Sequence, residues 1–415
     1  MDIDTQRLQR DIEANAEFGA ISTDEGHGRT LLTGSDADER ARNRFVERLE
    51  DAGLDVRVDA VGNVAGRWVS ESADPNQAPV AAGSHLDSVP QGGIFDGPLG
   101  VYAALEAVRA LQESDVDPDC PVEVVSFTEE EGARYGVGLL GSSIAAGLRP
   151  LEDALELTDD DGTSLETHLD SIGYRGSGHL DAGKWDAWLE LHIEQGTTLE
   201  EAGTPIGVVD AVTGITNCRV EIEGKADHAG ATPMIDRTDA LAAASEFVLD
   251  VERAAHEVVA LDSETAVATV GELSLAPNAR NVVPGHISLS MDVRDVDYEA
   301  INELIHRSES SLARLDSERS VETSLARYRD QEPIHMSDRC VAAVRDAAVT
   351  SDLNHLDMHS AAMHDTANIA SLTDAVLIFV PSEDGLSHNP HEFTSWDDCA
   401  AGARVLAGAI TQLTT

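Results

Sequence analysis

Residues 83–97 read GSHLDSVPQGGIFDG and directly follow an apolar run at 79–82. A strand that ends in such a glycine-bearing loop delivers its side chains to one edge of a sheet, where α/β proteins build their sites. His85 and Asp87 are two residues apart, so one can bind a metal while the other stands behind it. Asp96 returns eleven residues after His85 and has two oxygens that can bridge two cations. The stretch predicts an α/β fold and, as a first hypothesis, a hydrolytic site with two metal ions.

The length of the chain favours more than one domain. Its 415 residues, 42% of them hydrophobic, exceed the size at which a single core stops growing. Apolar strands alternate with helical segments in the outer parts, which predicts a catalytic α/β domain over 1–211 and 332–415. Between them the predicted elements follow the order β-α-β-β-α-β, the ferredoxin-like arrangement, over 212–331. We therefore predict two domains, an α/β catalytic domain and an inserted α+β domain.

Individual elements are predicted from periodicity and from helix start and stop signals. In the outer domain the predicted strands are 55–59, 62–69, 79–82, 122–128, 186–193 and 375–381. The predicted helices there are 6–18, 37–52, 98–113, 338–350 and 397–412, with another beginning at 142. In the inserted domain the predicted strands are 217–223, 266–275, 285–293 and 320–326, and the helices are 236–256 and 298–315.

The composition is strongly acidic, with 77 Asp and Glu against 28 Lys and Arg and a net charge of −49. The only lysines are Lys184 and Lys225, and the acidic residues are spread along the whole chain, which argues against an acidic tail. This charge disfavours binding to nucleic acid. It suits a soluble protein in concentrated salt, where screening relieves self-repulsion. We interpret the protein as halophilic; the alternative is an unusually acidic protein from a mesophile.

The cysteines and the N-terminus exclude several classes of protein. The four cysteines are far apart in sequence and form no C-x-x-C pair, so we expect buried thiols and neither a zinc finger nor a disulfide framework. Residues 1–19 lack the apolar core of a signal peptide. The longest apolar run, at 375–380, is far shorter than the roughly 20 residues of a membrane span. We expect a cytoplasmic protein without a membrane partner.

Potential metal ligands lie where predicted strands of the outer domain end. A lone histidine at such a position is usually a surface or hydrogen-bonded residue, and a glutamate triplet is usually a solvated turn. Together these groups indicate one site, because all follow apolar strands in glycine-bearing contexts. Three imidazoles with carboxylates suit zinc, or manganese, cobalt or nickel. The four places are His85 with Asp96, Glu130 with Glu131, His192, and His388.

Two adjacent glutamates in one turn point in different directions. One of Glu130 and Glu131 can therefore bind metal while the other faces the substrate. The second carboxylate would take a proton from a water whose pKa the metal has lowered toward about 7, and would pass it to a leaving nitrogen. This chemistry is the metal-assisted hydrolysis of a C–N bond.

These residues resemble the amidase, hydantoinase and carbamoylase branch of the aminoacylase-like zinc metallopeptidases. That branch includes N-carbamoyl-L-amino-acid hydrolases, allantoate amidohydrolases and β-ureidopropionases. The resemblance covers nearly the whole chain, and the eleven-residue interval to Asp96 favours this branch over the true peptidases. The motifs that carry it are GSHLD at 83–87, GIFDG at 93–97, TEEEGAR at 128–134, LHIEQG at 191–196 and SHNPHE at 387–392.

The resemblance implies a role for each residue of the outer domain. It assigns the metal ligands to His85, Asp96 (as the bridge), Glu131, His192 and His388. It makes Glu130 the catalytic base and Asp87 the carboxylate that orients the first ligand. Related peptidases have a carboxylate where His192 stands, and Gln195 of the same signature is placed among the substrate-binding residues.

The inserted domain matches the same family. The matching segments are ADHAGATP at 226–233, NVVPG at 281–285 and DVRD at 292–295. The resemblance implies that His228 polarises the scissile carbonyl, which typically contributes about 10²–10³ in rate. It also implies that Asn281 and Arg294 hold the substrate carboxylate, for which a guanidinium is suited. The alternatives are a loop cap for His228 and an ion pair with Asp292 or Asp295 for Arg294.

One segment departs from the family pattern. The family has Ser-Gly-Ala-Gly-His-Asp-Ala where this chain reads SAAMHDT at 360–366. Glycines allow the main chain to approach a ligand closely. Alanine and methionine at 361–363 are therefore expected to crowd the pocket, so the substrate is expected to differ from the standard ones.

The function predicted from these motifs is metal-dependent hydrolysis of a carbamoyl or ureido C–N bond in an amino-acid-like substrate with a carboxylate. An aminoacylase or dipeptidase is the alternative enzyme, and a catalytically silent metal-binding homologue is the alternative of another class, against which the intact Glu130 argues. The resemblance implies two divalent ions per subunit and a homodimer formed through the inserted domain, which would also act as a lid.

Overall fold

In the computed structural model, which describes residues 1–23 and 26–415, the chain divides into two units. The first comprises Met1–Asp210 and His335–Thr415, and the second comprises Ala211–Ile334. The boundaries predicted for the inserted domain, 212 and 331, differ from this division by one residue and three residues. The function of the inserted unit as a lid and dimerisation surface stays a prediction.

The strands are short and follow one another along the whole chain. They are β1 (Asp55–Val58), β2 (Val64–Trp68), β3 (Val80–His85), β4 (Val122–Phe127), β5 (Ala187–Ile193), β6 (Ile206–Val212), β7 (Gly214–Glu223), β8 (Asp227–His228), β9 (Val267–Ala276), β10 (Val282–Val283), β11 (His286–Asp295), β12 (Glu322–Gln331), β13 (Ile334–His335), β14 (His355–Ser360) and β15 (Asp374–Val380).

The helices vary widely in length. They are α1 (Thr5–Ala16), α2 (Asp36–Asp51), α3 (Pro98–Gln112), α4 (Leu140–Ala145), α5 (Leu151–Leu155), α6 (Leu165–Ile172), α7 (Thr198–Ala202), α8 (Ala240–Leu261), α9 (Tyr298–Arg319), α10 (Asp338–Thr350), α11 (Asp365–Ile369) and α12 (Trp396–Thr414). Among the described residues, no helix is both long enough and apolar enough to cross a membrane.

A mixed sheet forms the centre of the first unit. Its strands follow the order β1-β2-β4-β3-β5-β15-β6-β13, and β14 pairs with β6. The four central strands β4, β3, β5 and β15 run parallel, and every residue of β3, β4 and β5 is buried. Continuous burial explains why these strands read as mostly apolar runs rather than as strictly alternating ones. Because their carboxyl ends lie at the same edge of the sheet, the loops that follow them meet there.

Helices cover both faces of this sheet. Trp188 of β5 packs with Phe127, Ala145 and Ile369, which places α4 and α11 on one face. Leu191, three residues along the same strand, faces the other side, where it lies against Gly402 of α12. Helix α3 packs on α12 and on β3 and β5. The first unit is therefore a three-layer α/β/α structure.

The second unit is an antiparallel sheet with helices on one face. Its strand order is β12-β7-β11-β9, and a two-stranded ribbon of β8 and β10 lies apart from it. Apolar residues of α8 and α9, such as Phe247 and Leu304, form one core with Val220 and Leu289 of the sheet. The residues of β11 alternate between buried and half-buried, so the face of the sheet away from the helices is polar. Together the two units confirm the predicted α/β fold with a ferredoxin-like insertion.

Two differences from the predicted elements have simple physical causes. Helix α8 begins at Ala240 rather than at 236, because the Asp239 side chain accepts the main-chain N–H groups of Leu241 and Ala242 and caps the helix there. Strand β14 was missed. Its residues are mostly half-buried and it pairs only off the main path of the sheet, so it lacks the apolar run of a central strand.

Candidate metal centre

The predicted ligands of the first unit meet at the carboxyl edge of the parallel strands. His85 is the last residue of β3, and His192 is the penultimate residue of the neighbouring β5. Glu130 and Glu131 lie in the turn that follows β4, on the other side of β3. His388 lies in the loop after β15, with a positive φ of 55°. Adjacent parallel strands thus bring together residues that are more than a hundred positions apart in sequence.

The first cluster of potential ligands is buried. It comprises His85, Asp96 and His192, whose ligand atoms all lie within 4.8 Å of one another. The Nε2 atom of His192 is 3.1 Å from Oδ1 of Asp96, and the Nε2 atom of His85 is 3.5 Å from the same oxygen. Two imidazole nitrogens and one carboxylate oxygen therefore converge on a single point.

Main-chain carbonyls orient both imidazoles of this cluster. The Nδ1 atom of His85 lies 3.1 Å from the carbonyl oxygen of Asp87, and the Nδ1 atom of His192 lies 2.9 Å from that of Ile193. A carbonyl only accepts hydrogen bonds, so each Nδ1 carries the proton and donates it. The Nε2 lone pairs are then left facing Asp96, as a metal ligand requires.

The second cluster is more exposed and shares Asp96 with the first. It comprises Asp96, Glu131 and His388, again with ligand atoms within 4.8 Å of one another. His388 Nε2 is 3.1 Å from Oε2 of Glu131 and 3.6 Å from Oδ2 of Asp96. The His388 side chain is 51% exposed, whereas that of Glu131 is 5% exposed. This cluster is therefore open to solvent on its histidine side.

Asp96 turns one oxygen toward each cluster. Oδ1 faces His85 and His192, and Oδ2 faces His388. Oδ2 also accepts hydrogen bonds from the Gln195 amide at 2.8 Å and from the Ser387 hydroxyl at 2.6 Å. This position suits a carboxylate that bridges two cations, and the bridging role of Asp96 stays a prediction.

Glu130 lies beside the buried cluster without belonging to either set of converging atoms. Its Oε2 is 3.6 Å from Nε2 of His85, and its side chain is 10% exposed. Burial, reinforced by the neighbouring carboxylates of Asp365 and Glu131, raises its pKa well above the usual range of glutamate. A carboxylate with a raised pKa next to a candidate metal site is suited to accept a proton.

The Asp87 side chain fixes the glutamate turn rather than His85. Its Oδ1 and Oδ2 accept the main-chain N–H groups of Glu130 and Glu131 at 3.2 and 3.1 Å. The distance from Oδ1 to Nδ1 of His85 is 3.7 Å, and the Asp87 main-chain carbonyl accepts the hydrogen bond from Nδ1 instead. Asp87 thus orients the His85 ring through its main-chain carbonyl and the turn at Glu130 and Glu131 through its carboxylate.

The donor set fits divalent cations. Burial lowers the pKa of His85, but Glu130 and Asp96 outweigh burial and hold that pKa well above its usual range. A hydrogen bond to Glu131 raises the pKa of His388 to about 9. These carboxylates therefore attract positive charge, and Oε1 of Glu131 is buried with no hydrogen-bond partner among the described residues. Imidazole nitrogens with carboxylate oxygens suit zinc, manganese, cobalt or nickel.

His364 is a further residue beside the buried cluster, and its sequence context predicted no role for it. This buried residue packs edge-on against the His192 ring, with ring centroids 4.4 Å apart. Burial and the nearby His192 hold its pKa well below the usual range, so the ring is neutral. It follows β14, which lacks the apolar run of a central strand, so its place in the segment 360–366 was the only signal that could have identified it. The preceding residues 361–363 are exposed or half-buried, and their predicted crowding of a pocket stays a prediction.

The second unit carries the remaining predicted residues, and His228 and Asn281 lie close together in it. His228 pairs with Val282 across the ribbon of β8 and β10, and the Asn281 carbonyl accepts the N–H of Ala229 at 2.9 Å. The His228 side chain is exposed, and its Nδ1 accepts the N–H groups of Gly230 and Ala231 at 3.0 and 3.1 Å. A neutral His228 must therefore carry its proton on Nε2.

Arg294 lies on the polar face of the four-stranded sheet. Its Nε and Nη2 donate to both oxygens of Asp292, at 2.8 and 3.2 Å. The ion pair considered as an alternative interpretation is therefore present in this structure. The Asp292 carboxylate also accepts from Asn217 at 2.8 Å, so the pair belongs to a small polar network.

Comparison with known proteins shows to which protein family the chain belongs. The family model described as peptidase family M20/M25/M40 matches residues 81–412. The chain belongs to this family. It is 38% identical over 406 residues to the N-carbamoyl-L-amino-acid amidohydrolase of Paenarthrobacter aurescens, covering 97% of this chain and 96% of that protein. It is 37% identical to the ureidoglycolate hydrolase of Arabidopsis thaliana, covering 100% and 87%.

A solved structure agrees with both the sequence match and the fold. The crystal structure of an amidase of the hydantoinase/carbamoylase family from Burkholderia multivorans is 36% identical, with a TM-score of 0.89 and coverage of 99% of this chain and 98% of that one. The resemblance to the carbamoylase branch is thereby confirmed. M20 enzymes bind divalent metals, and this chain has two groups of candidate ligands.

Proposed function

We propose that the protein is an amidohydrolase that cleaves a carbamoyl or ureido C–N bond, with two divalent ions per subunit, in a small substrate that carries a carboxylate. The names of its relatives, an N-carbamoyl-L-amino-acid amidohydrolase and a ureidoglycolate hydrolase, support this bond type. The observation that carries the proposal is the position of Asp96, with one oxygen toward each ligand cluster and Glu130 alongside.

The two clusters support the proposed metal-binding roles. His85 and His192 would hold one ion, and Glu131 and His388 the other, with Asp96 shared between them. Bound divalent ions would supply Lewis acidity toward a substrate carbonyl and toward a water nucleophile. Zinc is the proposed ion, with manganese, cobalt and nickel as alternatives that the same donors accept.

Glu130 is the proposed base. Its carboxylate is held beside His85 at 3.6 Å, and Asp87 fixes its main chain. It would take a proton from the attacking water and later give it to the leaving nitrogen, so that the residue returns to its starting state.

His228 is the proposed donor to the oxyanion that develops on the scissile carbonyl. Its Nδ1 is occupied by two main-chain N–H groups, which places its proton on Nε2. The loop-cap interpretation and the catalytic one are therefore compatible, because the ring uses one nitrogen for each. A donor aimed at a developing negative charge is typically worth about 10²–10³ in rate.

Gln195, Asn281 and Arg294 are the proposed substrate ligands. The Gln195 amide donates a hydrogen bond to Asp96 Oδ2 at 2.8 Å. It therefore lies beside the proposed metal ligands, where a substrate bound to the ions would contact it. Arg294 is bound to Asp292 in this structure, and a substrate carboxylate would have to compete with that partner. Competition between two carboxylates for one guanidinium would reduce the binding energy gained from Arg294.

A panel of substrates tests the reaction class. The panel contains N-carbamoyl amino acids, allantoate and N-carbamoyl-β-alanine, together with acetylated amino acids and dipeptides, all measured in high salt with zinc, manganese or cobalt. Turnover of ureido compounds alone supports the proposal. Turnover of acetylated amino acids or dipeptides alone would make the protein an aminoacylase or a dipeptidase. Metal binding without turnover of any compound would favour the silent homologue.

A further inference from the structure

The loop that joins His85 to Asp96 is held by two buried charged side chains that are outside the proposed ligand set. Arg29 reaches it from a segment near the N-terminus, and Glu392 reaches it from the loop that carries His388. Both side chains are almost completely shielded from solvent, at 0% and 3% exposure. Burying a charge is costly unless hydrogen bonds compensate it, so the contacts of these two groups indicate what they hold.

Glu392 holds the main chain at Asp96. Its Oε1 accepts the N–H of Phe95 at 2.8 Å and the N–H of Asp96 at 3.0 Å. Its Oε2 lies 3.5 Å from the Ser387 hydroxyl, which donates to Asp96 Oδ2. One carboxylate thus contacts the Asp96 main chain directly and lies next to the hydroxyl that holds the Asp96 side chain.

Arg29 donates hydrogen bonds to carbonyl groups of the same loop. Its Nη2 donates to the carbonyl oxygen of Leu86 at 3.0 Å, and its Nε donates to that of Gly93 at 3.1 Å. Burial lowers the pKa of the Arg29 guanidinium, and the carboxylates of Glu392, Asp87 and Asp96 oppose this by attracting its positive charge. The Arg29 guanidinium therefore donates to carbonyl oxygens of the loop, whereas the Glu392 carboxylate accepts from its N–H groups.

We propose that Glu392 is a positioning residue for the metal centre. By accepting the N–H groups of Phe95 and Asp96, it sets the Asp96 main chain so that the two carboxylate oxygens face the two ligand clusters. Arg29 supports the same loop through the carbonyl groups of Leu86 and Gly93. This inference rests on the proposed metal centre and adds the residue that aligns its bridge. Residues that orient metal ligands in this way typically contribute about 10- to 100-fold to metal affinity.

The close fit around Gly93 provides an independent way to disturb this contact. A Cβ atom added at Gly93 would lie 2.2 Å from both Cδ and Oε1 of Glu392. Real Cβ atoms essentially never make so short a contact, so in Gly93→Ala the carboxylate and the loop must move apart, and we expect the hydrogen bonds to Phe95 and Asp96 to be disturbed. This variant displaces the Glu392 side chain without removing it.

The test measures Zn²⁺ affinity by competition with a chromophoric chelator, starting from metal-free protein, and needs no substrate. Glu392→Ala leaves two buried N–H groups without an acceptor, and we expect it to weaken Zn²⁺ binding by about 10- to 100-fold. Gly93→Ala is expected to do the same. Glu392→Gln keeps a carbonyl oxygen at the Oε1 position and an amide toward Ser387, so we expect it to retain most of the affinity.

Glu123→Ala is the matched control. Glu123 is a fully buried carboxylate near the start of β4, far along the strand from the metal ligands, where it pairs with Arg57 and Arg67. Its loss is expected to lower the melting temperature and leave Zn²⁺ affinity unchanged.

Wild-type Zn²⁺ affinity in Glu392→Ala would overturn the inference, and where that variant does not fold, wild-type affinity in Gly93→Ala would do so. A loss of affinity in Glu392→Gln or in Glu123→Ala as large as that in Glu392→Ala would also overturn it. Failure of the wild-type protein to bind Zn²⁺, Mn²⁺ or Co²⁺ would instead count against the proposed metal centre itself.

Discussion

The two units of the chain support their proposed site residues in different ways. In the first unit the ligands lie at strand ends, and His85, Asp96 and His192 are buried and held by hydrogen bonds to the main chain or to neighbouring side chains. In the second unit His228 is exposed on a two-residue ribbon strand, and Arg294 lies on a polar sheet face, 38% exposed.

This difference matches two different physical requirements. Metal ions are bound tightly when their ligands are already in place, because little ordering is then needed on binding. Groups that contact a substrate have to admit it first, which an exposed position allows. We therefore expect variants of the first unit to lose metal or chemistry, and variants of the second unit to keep metal and lose turnover or substrate affinity.

The largest effect is expected for Asp96→Ala. Asp96 is common to both ligand clusters, so its loss should remove metal from both and lower turnover by at least the roughly 10²–10⁴-fold that one catalytic group supplies. His85→Ala and His388→Ala should each lower bound metal by less. Elemental analysis of dialysed protein measures this, and full occupancy in Asp96→Ala would refute the bridging role.

Glu130→Gln is expected to separate chemistry from metal binding within the first unit. Glutamine has nearly the same shape but cannot accept the proton, so turnover should fall by about 10²–10⁴-fold while metal content stays at the wild-type level. The measurements are kcat and elemental analysis on the same preparation. If metal content fell in step with kcat, Glu130 would be a ligand and the roles of Glu130 and Glu131 would be reversed.

His228→Ala is expected to keep its metal and lose about 10²–10³-fold in kcat, since it removes a donor to the oxyanion. His306→Ala, which removes an exposed histidine from α9 in the same unit, is the control and should retain activity.

Mixing His228→Ala with Glu130→Gln then tests whether subunits share a site. In a homodimer in which His228 acts across the interface, hybrid dimers hold one intact site and activity should reappear. Exchange of subunits without recovery would mean that His228 acts in its own subunit or takes no part in catalysis.

The smallest effect is expected for Arg294→Ala. Loss of a charge-assisted contact to the substrate carboxylate should raise KM by about 10- to 100-fold, with kcat and metal content little changed. Arg253→Ala, which breaks an exposed ion pair with Asp250 in the same unit, is the control. An unchanged KM together with a lower melting temperature would leave Arg294 only its structural role beside Asp292.

The sequence predicted the parts of this protein that depend on local patterns. Mostly apolar runs predicted the parallel strands, and the histidines and glutamates at or just after the ends of those strands are the residues that meet at the sheet edge. The order of elements gave the ferredoxin-like insertion. The homodimer, the halophilic habitat and the cytoplasmic location concern the surroundings of the chain, and they stay predictions.

The residues that were missed act through contacts between distant segments. Arg29 is the only charged residue in the short segment 26–30, and nothing there indicates that it reaches the carbonyls of Leu86 and Gly93. Glu392 was part of a motif, but its contact with the N–H of Asp96 spans 296 positions. His364 follows β14, a half-buried strand without an apolar run. Sequence periodicity reports burial along one element and carries no information on such pairings.

The chain leaves the first unit after Asp210 and re-enters it at His335, and these two points are neighbours. The N–H of Met336 donates to the carbonyl of Asp210 at 2.8 Å, and β13 lies next to β6 in the sheet. The two ends of the insertion thus start from adjacent strands, so the sheet of the host domain is complete without it. An insertion of more than a hundred residues therefore leaves the host fold uninterrupted, and a short hairpin joining 210 to 335 would bypass it.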